Sequence, residues 1–194
     1  MSSLDQTARG QALPTGAELL SLERRARSAG SGLSAEALAG VWRLERLWSR
    51  QGEPAALAAG LLRGLAARLE IEAAEGGLRL CNAVTLPGLE LRFLGEGCLR
   101  GRRPLLVFCF SCLELRLAGR VLLRRQLPQP DPRRQPFFAL IARGGAASGG
   151  SGAGDGGGAG DGAIWLTARG RGGGLALWLL QAAAGSDSAP THSP

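Results

Sequence analysis

The stretch that decides the fold is Trp165-Leu166-Thr167-Ala168-Arg169-Gly170-Arg171-Gly172-Gly173-Gly174-Leu175-Ala176-Leu177-Trp178. Apolar segments flank a glycine run, which is typical of two antiparallel strands joined by a turn that needs positive φ. An early Gly40-Val41-Trp42 opens another strand. Together these segments predict a sheet that closes on itself, with Trp42 on its first strand and Arg169 on its last hairpin. In this prediction the guanidinium covers the indole and seals one end of the sheet.

Between these two ends, apolar and polar residues alternate with period two in short segments that are separated by turn residues. In the first segment Trp42, Leu44 and Trp48 share one predicted face. Further strands are predicted at Leu69–Glu72, Leu78–Leu86, Leu89–Phe93, Leu105–Leu117, Val121–Leu127 and Phe137–Ala142. The fourth of these is apolar on both faces before Ser111 and on one face after it, which predicts a bulge there.

This pattern predicts a mainly β fold: an antiparallel lipocalin-like β-barrel with short N-terminal helices and one peripheral helix. The peripheral helix is indicated by leucines at helical spacing between Leu57 and Leu69. The predicted organisation is a disordered N-terminus (1–13), a helical cap (14–39) with helices at Ala17–Arg27 and Ser34–Leu38, the barrel domain (40–182) and a disordered tail (183–194). Within the barrel domain, residues 144–162 contain eleven glycines and are predicted to be a flexible loop.

Composition limits the classes of function. The 194 residues carry a net charge of +7, and every basic residue is an arginine. The arginines are spread along the chain, so they indicate a solubilising role more than a nucleic-acid surface. No secretory signal or membrane-spanning run is evident, which predicts a cytoplasmic protein that is not secreted and whose four cysteines are free thiols.

No residue set indicates catalysis or a metal. The single histidine, His192, is the third residue from the end, so a nucleophile has no plausible base. Cys109 and Cys112 have the spacing of half a zinc site, but no second pair follows, and on a regular strand they point to opposite faces. We therefore expect no enzyme activity, no cofactor and no metal. One alternative is nucleic-acid binding through the Arg-Gly segment around Arg169, although no aromatic platform motif accompanies it.

Two short motifs resemble those of a known family. Leu38-Ala39-Gly40-Val41-Trp42-Arg43-Leu44 matches a leucine-x-glycine-x-tryptophan-x-leucine opening, and Arg169-Gly170-Arg171-Gly172-Gly173-Gly174 matches arginine-glycine-x-x-glycine-x before an apolar strand. In both motifs the chain resembles the plastid lipid-associated (PAP/fibrillin) proteins of chloroplasts and cyanobacteria. The resemblance implies non-enzymatic binding and carriage of membrane lipids, prenylquinones or carotenoids, with peripheral contact to photosynthetic membranes.

A closed sheet offers such molecules an apolar interior. The residues predicted to line it are Trp42, Leu44, Leu80, Val84, Leu91, Phe93, Val107 and Leu177. On the opposite face, Leu106, Phe108 and Phe110 are predicted to contact an anionic bilayer. The alternative from the enzyme class is a lipocalin-type lyase that attaches a bilin to a phycobiliprotein. It needs polar groups inside the cavity, and the inward candidates are few: Asn82 and Arg46.

Overall fold

A computed structural model describes residues 13–55, 64, 66–145 and 163–182. The helices in these ranges are α1 (Gly16–Ala29) and α2 (Ala35–Leu38), and a short 3₁₀ turn spans Pro132–Arg134. The strands are β1 (Gly40–Trp48), β2 (Arg68–Ala74), β3 (Gly77–Leu86), β4 (Leu89–Arg100), β5 (Leu105–Leu117), β6 (Arg120–Gln126), β7 (Phe137–Gly144), β8 (Trp165–Gly170) and β9 (Leu175–Leu180). The predicted disordered ends, the glycine-rich loop, the leucine stripe from Leu57 to Leu65 and His192 fall wholly or largely outside the described residues.

The nine strands of the described chain form one antiparallel sheet in the order β4-β3-β2-β1-β9-β8-β7-β5-β6. Because β4 also pairs with β5, eight strands close into a ring and β6 lies outside it. The length of β5 allows this, since Leu105–Val107 pairs with β7 and Cys112–Leu117 pairs with β6. The predictions of a mainly β fold, a closed antiparallel sheet and short N-terminal helices are confirmed.

The last hairpin pairs with the first strand, as the sequence predicts. Trp42 of β1 lies opposite Leu180 of β9. The hairpin turn between β8 and β9 is closed by the Gly170 amide, which donates to the Gly174 carbonyl over 3.0 Å. Gly173 has a φ of +89°, a conformation that side chains with a Cβ rarely adopt. The glycine run therefore forms the turn that joins the two strands.

A β-bulge in β1 changes which side chains face the interior. The register with β9 shifts after Leu44, so that Glu45 is the extra residue. Leu44 and Leu47 both face into the ring, whereas Trp48 packs on its outside. The prediction that Trp48 shares a face with Trp42 and Leu44 is wrong, because one extra residue reverses the alternation that follows it.

The bulge predicted in β5 is confirmed. Leu94 of β4 lies opposite Cys112 and the next residue, Gly95, lies opposite Phe110, which leaves Ser111 without a partner on β4. The bulge keeps the apolar side chains before and after Ser111 on the inner face of the sheet. It also places Cys109 and Cys112 on the same outer face, so the prediction that they point to opposite faces is wrong.

Two glycines allow β4 to curve tightly around the ring. A Cβ on Gly95 would overlap the carbonyl of Cys109, and a Cβ on Gly97 would lie 2.7 Å from the Leu80 side chain. Glycine in a strand interior permits such a close approach of backbone to its neighbours. These positions therefore help the sheet to close.

The core has an inner and an outer cluster. The inner cluster lies inside the ring and includes the fully buried Leu140 and, near the end where β1 begins, the fully buried Trp42. The outer cluster packs α1 against the outer surface of the sheet; its buried members are Leu19, Trp48, Ile141, Leu175 and Leu177. Helix α1 thus covers one outer side of the ring, which makes several strands apolar on both faces.

Both predicted N-terminal helices are confirmed, with recognisable start signals. Thr15 and Glu18 form a capping box at α1, in which the Thr15 amide donates to the Glu18 carboxylate over 2.7 Å. Ser34 caps α2 by accepting a hydrogen bond from the Ala37 amide. No helix in the described ranges is long and apolar enough to span a membrane.

Candidate ligand cavity

The upper part of the ring, toward the end of β1, contains a cavity of about 280 Å³. Six strands contribute to its wall, which is apolar apart from two residues. The lining residues are Leu44, Leu47, Ala67, Arg68, Leu69, Asn82, Val84, Phe108, Phe110, Phe138, Ala176 and Trp178. Among the described residues, Trp42, Leu78 and Leu80 of the inner cluster lie below this cavity.

One side of the cavity is a continuous series of aromatic rings. Phe110, Phe108, Phe138 and Trp178 follow one another with ring centroids 5.2–5.3 Å apart. Phe93 extends the series, with its ring centroid 5.8 Å from that of Phe110. Aromatic side chains have few rotatable bonds, so this wall is a rigid apolar surface.

The lower end of the ring is sealed by Trp42. Its indole Nε1 donates to the Leu38 carbonyl over 2.7 Å, and the side chain is fully buried. The guanidinium carbon of Arg143 on β7 lies 6.0 Å from the Trp42 ring centroid, within cation–π range. The Nε of Arg143 is buried and has no hydrogen-bond partner among the described residues. The indole therefore provides a favourable contact for this charge.

Arg169 does not occupy the position predicted for it. On β8 the side chains of Leu166 and Ala168 face into the ring, so Arg169 lies on the outer face. There its guanidinium binds both carboxylate oxygens of Glu23 on α1, at 2.8 and 2.5 Å. The structure thus pairs Trp42 with Arg143 and not with Arg169.

Two polar side chains line the cavity, and their environments differ. The guanidinium of Arg68 is directed to the outer face, where it donates to Glu70, Glu90 and Thr85. Burial alone would lower the pKa of Arg68, but the hydrogen bonds to Glu70 and Glu90 raise it above its usual value. In contrast, the carboxamide of Asn82 has no hydrogen bond to any described residue. Among the described lining residues, Asn82 is therefore the one whose polar group is available to a ligand inside the cavity.

Six of the eight residues predicted for the pocket lie on the inner face of the sheet. Leu44 and Val84 line the cavity, and Trp42 and Leu80 belong to the inner cluster below it. Phe93 contacts Phe110 of the aromatic wall. Leu91 lies opposite Val84, just above the ring.

The other two predicted pocket residues face outward. Leu177 is buried in the outer cluster under α1, and its neighbours Ala176 and Trp178 line the cavity instead. Leu106 and Phe108 belong to the inner cluster. Val107 lies between them on the strand, so its side chain faces outward. These strands are apolar on both faces, so alternation alone does not identify the inner one.

For the same reason, the bilayer contact predicted for three residues of β5 is wrong. Leu106 and Phe108 are buried inside the ring. Phe110 packs against the inner cluster and lines the cavity. Side chains in these positions do not form an outer surface.

Sequence reasoning did not identify Phe138, Ala176 and Trp178 as cavity residues. Phe108 and Phe110 were also missed, and for these two residues the sequence offered a signal in the bulge at Ser111: once Leu113 is placed inward, the bulge requires Phe110 and Phe108 to face inward as well. The bulge after Leu44 has no comparable sequence signal, apart from the charged Arg46 that interrupts the apolar face.

The described residues contain no group of three or more histidine, cysteine or acidic side chains that could hold a metal ion. Both arginines of the Arg-Gly turn are engaged within the protein. Arg169 binds Glu23, and Arg171 donates to the carbonyls of Gln135 and Arg133 at 2.9 and 3.0 Å. These contacts stabilise the turn and leave fewer donors for phosphate groups.

The four cysteines are free thiols with different accessibility. Cys81 is buried, and this burial raises the pKa of its thiol although Arg92 donates to the sulfur over 3.2 Å. Cys98 is partly exposed. We expect iodoacetamide to modify Cys81 at least about tenfold more slowly than Cys98, because a buried protonated thiol is a poor nucleophile. Timed alkylation with peptide mass mapping measures both rates, and equal rates in the native protein would contradict the burial of Cys81.

Comparisons with protein-family models, with curated proteins and with solved structures find no match for this chain.

Proposed function

We propose that this protein is a non-enzymatic carrier that holds one end of a hydrophobic small molecule inside a lipocalin-like β-barrel. The observation that carries the proposal is an apolar cavity, inside a closed ring of strands, whose wall includes the Asn82 carboxamide, which has no hydrogen bond within the described ranges. Ligand pockets are mostly apolar, with a few polar groups that fix the orientation of the ligand. The resemblance of the segments Leu38–Leu44 and Arg169–Leu177 to PAP/fibrillin proteins supports membrane lipids, prenylquinones or carotenoids as the ligand class.

The size of the cavity favours an elongated ligand. Its volume of about 280 Å³ lies just below the range of about 300–1,000 Å³ that is typical of small-molecule pockets. It therefore accommodates one end of a lipid, and the remainder of the lipid extends beyond the cavity. The rigid aromatic wall favours a flat or unsaturated group at the inserted end, and Asn82 favours an oxygen on that group.

A bilin fits this cavity less well. Its propionates and pyrrole nitrogens require several charged or polar partners, and the guanidinium of Arg68 is already bound by Glu70 and Glu90. Arg46, the other polar residue considered for this role, is exposed on the outer face, opposite Leu177. A single carboxamide does not satisfy those groups.

The direct test is to purify the protein under native conditions and to analyse the solvent extract by mass spectrometry. We expect an oxygen-bearing prenyl lipid, carotenoid or membrane lipid in an amount stoichiometric with the protein. A bound bilin would contradict the proposal. The same conclusion would follow if the extract held no apolar molecule and the protein failed to bind any of these lipids when they are added.

Replacing Asn82 with leucine separates ligand binding from stability. We expect the affinity for an oxygen-bearing lipid to fall about three- to tenfold, since the net contribution of one hydrogen bond is about 0.5–1.5 kcal/mol. The free energy of unfolding of the empty protein should remain unchanged or rise by up to about 1 kcal/mol, because an unpartnered amide leaves an apolar wall. Fluorescence titration and urea unfolding measure the two quantities.

The matched control is Arg79→Gln, on the exposed outer face of the same strand. It should change neither the affinity nor the stability measurably. If Asn82→Leu leaves the affinity for every oxygen-bearing lipid unchanged, Asn82 does not contact the ligand and the proposed binding mode is wrong.

A further inference from the structure

Above the ring, the extended parts of β3, β4 and β5 together with β6 form a projecting sheet. Its inner face continues the cavity wall: Val84 lines the cavity and lies opposite Leu91, which in turn lies opposite Leu115 and then Leu123. Directly opposed residues of an antiparallel sheet share a face. We call this apolar surface the leucine face; its other members are Leu86, Leu89 and Leu117.

The tip of this sheet is unusually exposed for an apolar surface. Within the described ranges, the large apolar residues that are more than a third exposed are Leu86, Leu117, Val121, Leu122 and Leu123, with exposed fractions of 42–59%. All of them lie at this tip, and three are consecutive on β6. Leu123 projects from the inner face and Val121 from the outer one. A contiguous exposed apolar patch on a folded protein indicates an interaction surface.

Charge distinguishes the inner face of β6 from its outer face. On the outer face, Arg116 and Arg124 are paired with the buried Glu114. On the inner face, Arg120 lies opposite Leu117 and Arg125 lies opposite Leu113. Neither Arg120 nor Arg125 has an acidic partner among the residues the structure describes. The leucine face is therefore bordered by two arginines that lack a counter-charge within the described part of the chain.

We propose that the leucine face and β6 dock on the surface of an anionic lipid bilayer, with the side of the cavity that Val84 lines directed toward the lipid. Exposed aliphatic side chains bordered by arginines match the acyl boundary and the negative headgroups of such a surface. Exposed apolar residues on both faces of β6 fit insertion of a strand edge better than a small ligand, which would contact one face. The arginines also oppose pairing of β6 with a second copy of the chain, because the pairing brings like charges together.

The biological role of this docking rests on the proposed function. Val84 belongs to the cavity wall and also adjoins Leu91 of the leucine face, so the docking surface continues into the cavity. A carrier oriented in this way can exchange an apolar ligand with the membrane without exposing the ligand to water. The docking itself does not require a bound ligand, so the two proposals can fail independently.

The test is flotation of the full-length protein with vesicles of phosphatidylcholine alone or of phosphatidylcholine mixed with phosphatidylglycerol. We expect binding to the mixed vesicles that is at least about 20-fold tighter, because each of the two arginines near an anionic surface contributes a factor of about five. Raising the salt from about 0.01 M to about 0.15 M shortens the Debye length from about 30 Å to about 8 Å and should weaken binding.

Two double variants locate the surface. Arg120→Gln/Arg125→Gln should reduce binding to mixed vesicles about 20-fold or more, and Leu122→Ser/Leu123→Ser should reduce binding to a similar extent. The charge-matched control is Arg24→Gln/Arg25→Gln on the exposed side of α1, which should bind like the unmodified protein. Circular dichroism verifies folding; should the serine variant not fold, the arginine variants and the lipid comparison still decide the question.

The proposal would be overturned if Arg120→Gln/Arg125→Gln bound mixed vesicles as tightly as the control Arg24→Gln/Arg25→Gln. It would also be overturned if the unmodified protein did not bind mixed vesicles. A concentration-dependent dimer that Leu122→Ser/Leu123→Ser abolishes, in a protein that ignores vesicles, would identify a second copy as the occupant. Binding of lipid monomers in vesicle-free solution tests the cavity separately: Ala176→Leu should weaken it without affecting flotation, and Arg120→Gln/Arg125→Gln should leave it unchanged.

Discussion

Replacing Trp42 with alanine is expected to lower the free energy of unfolding by about 3–5 kcal/mol, the range for aromatic truncations in protein cores. The indole is fully buried at the lower end of the ring, where β1 meets β2 and β9. Its loss creates a cavity, leaves the Leu38 carbonyl without its donor and removes the aromatic contact of Arg143. Urea unfolding followed by circular dichroism measures the change.

Trp42→Phe divides this effect into two parts. Phenylalanine keeps most of the apolar volume but lacks the indole N–H, so we expect a smaller loss of about 1–3 kcal/mol, the cost of leaving one buried polar group unsatisfied. If Trp42→Ala lowered the free energy of unfolding by less than about 1 kcal/mol, this end of the ring would be hydrated, in conflict with the structure. Neither variant tests ligand binding, because Trp42 lies below the cavity.

The strands could be predicted because local signals specify them, and closure of the sheet was inferred from the motifs of its first strand and its last hairpin. Glycines mark the hairpin before Leu175, and the two bordering strands are too apolar to be loops. The first strand begins at Gly40, where a Cβ would lie 2.5 Å from the Leu180 side chain and φ is +137°. Signals of this kind depend on a few neighbouring residues, so they can be recognised without knowledge of the fold.

The faces of the strands could not all be predicted, because they depend on contacts made over long distances in the sequence. Leu177 is as apolar as Trp178, and it faces outward because α1 supplies Leu19 to cover it. Similarly, the bulge after Leu44 shifts Leu47 inward and Trp48 outward. Where both faces of a strand are buried, the period-two pattern carries no information about which side is the interior.

The partner of Trp42 was mispredicted for a related reason. Arg143 lies near the glycine-rich loop and follows the irregular pairing of β7 with β8 after Leu140. No local pattern indicates that its side chain enters the ring. Arg169, which carries a recognisable motif, binds a carboxylate 146 residues away in the sequence. Glu23 appears in the sequence as one of several charged residues on a helix, so its burial could not be anticipated.

Glu23 is expected to produce the other large effect, and its effect depends on pH. Glu23 is 3% exposed, and its carboxylate binds Arg169, Arg27 and Arg103 at distances of 2.5–2.9 Å. Burial alone would raise the pKa of Glu23, but the hydrogen bonds from these three arginines outweigh it and lower the pKa to about 2. The ion cluster fixes α1 to β8, because Glu23 lies on the helix and Arg169 on the strand.

Because the folded pKa is below the unfolded value of about 4.3, the stabilising contribution of Glu23 is complete above about pH 5. It is lost as the pH falls toward 2, and it amounts to roughly 3 kcal/mol in total, at about 1.4 kcal/mol for each pKa unit. Urea unfolding at a series of pH values should show this loss in the unmodified protein. In Glu23→Gln this component should be absent, so the difference between the two proteins should shrink as the solution becomes acidic.

At neutral pH, Glu23→Gln should lower the free energy of unfolding by about 3–5 kcal/mol, because it leaves partly buried guanidinium groups without a counter-charge. The matched control is Glu72→Gln, an exposed carboxylate whose nearest arginine nitrogen is 4.0 Å away, and it should change stability by less than about 0.5 kcal/mol. A constant difference between Glu23→Gln and the unmodified protein from pH 7 to pH 2 would show that the charge of Glu23 does not hold α1 on the sheet. The helix would then be held mainly by Leu19 and the rest of the outer cluster.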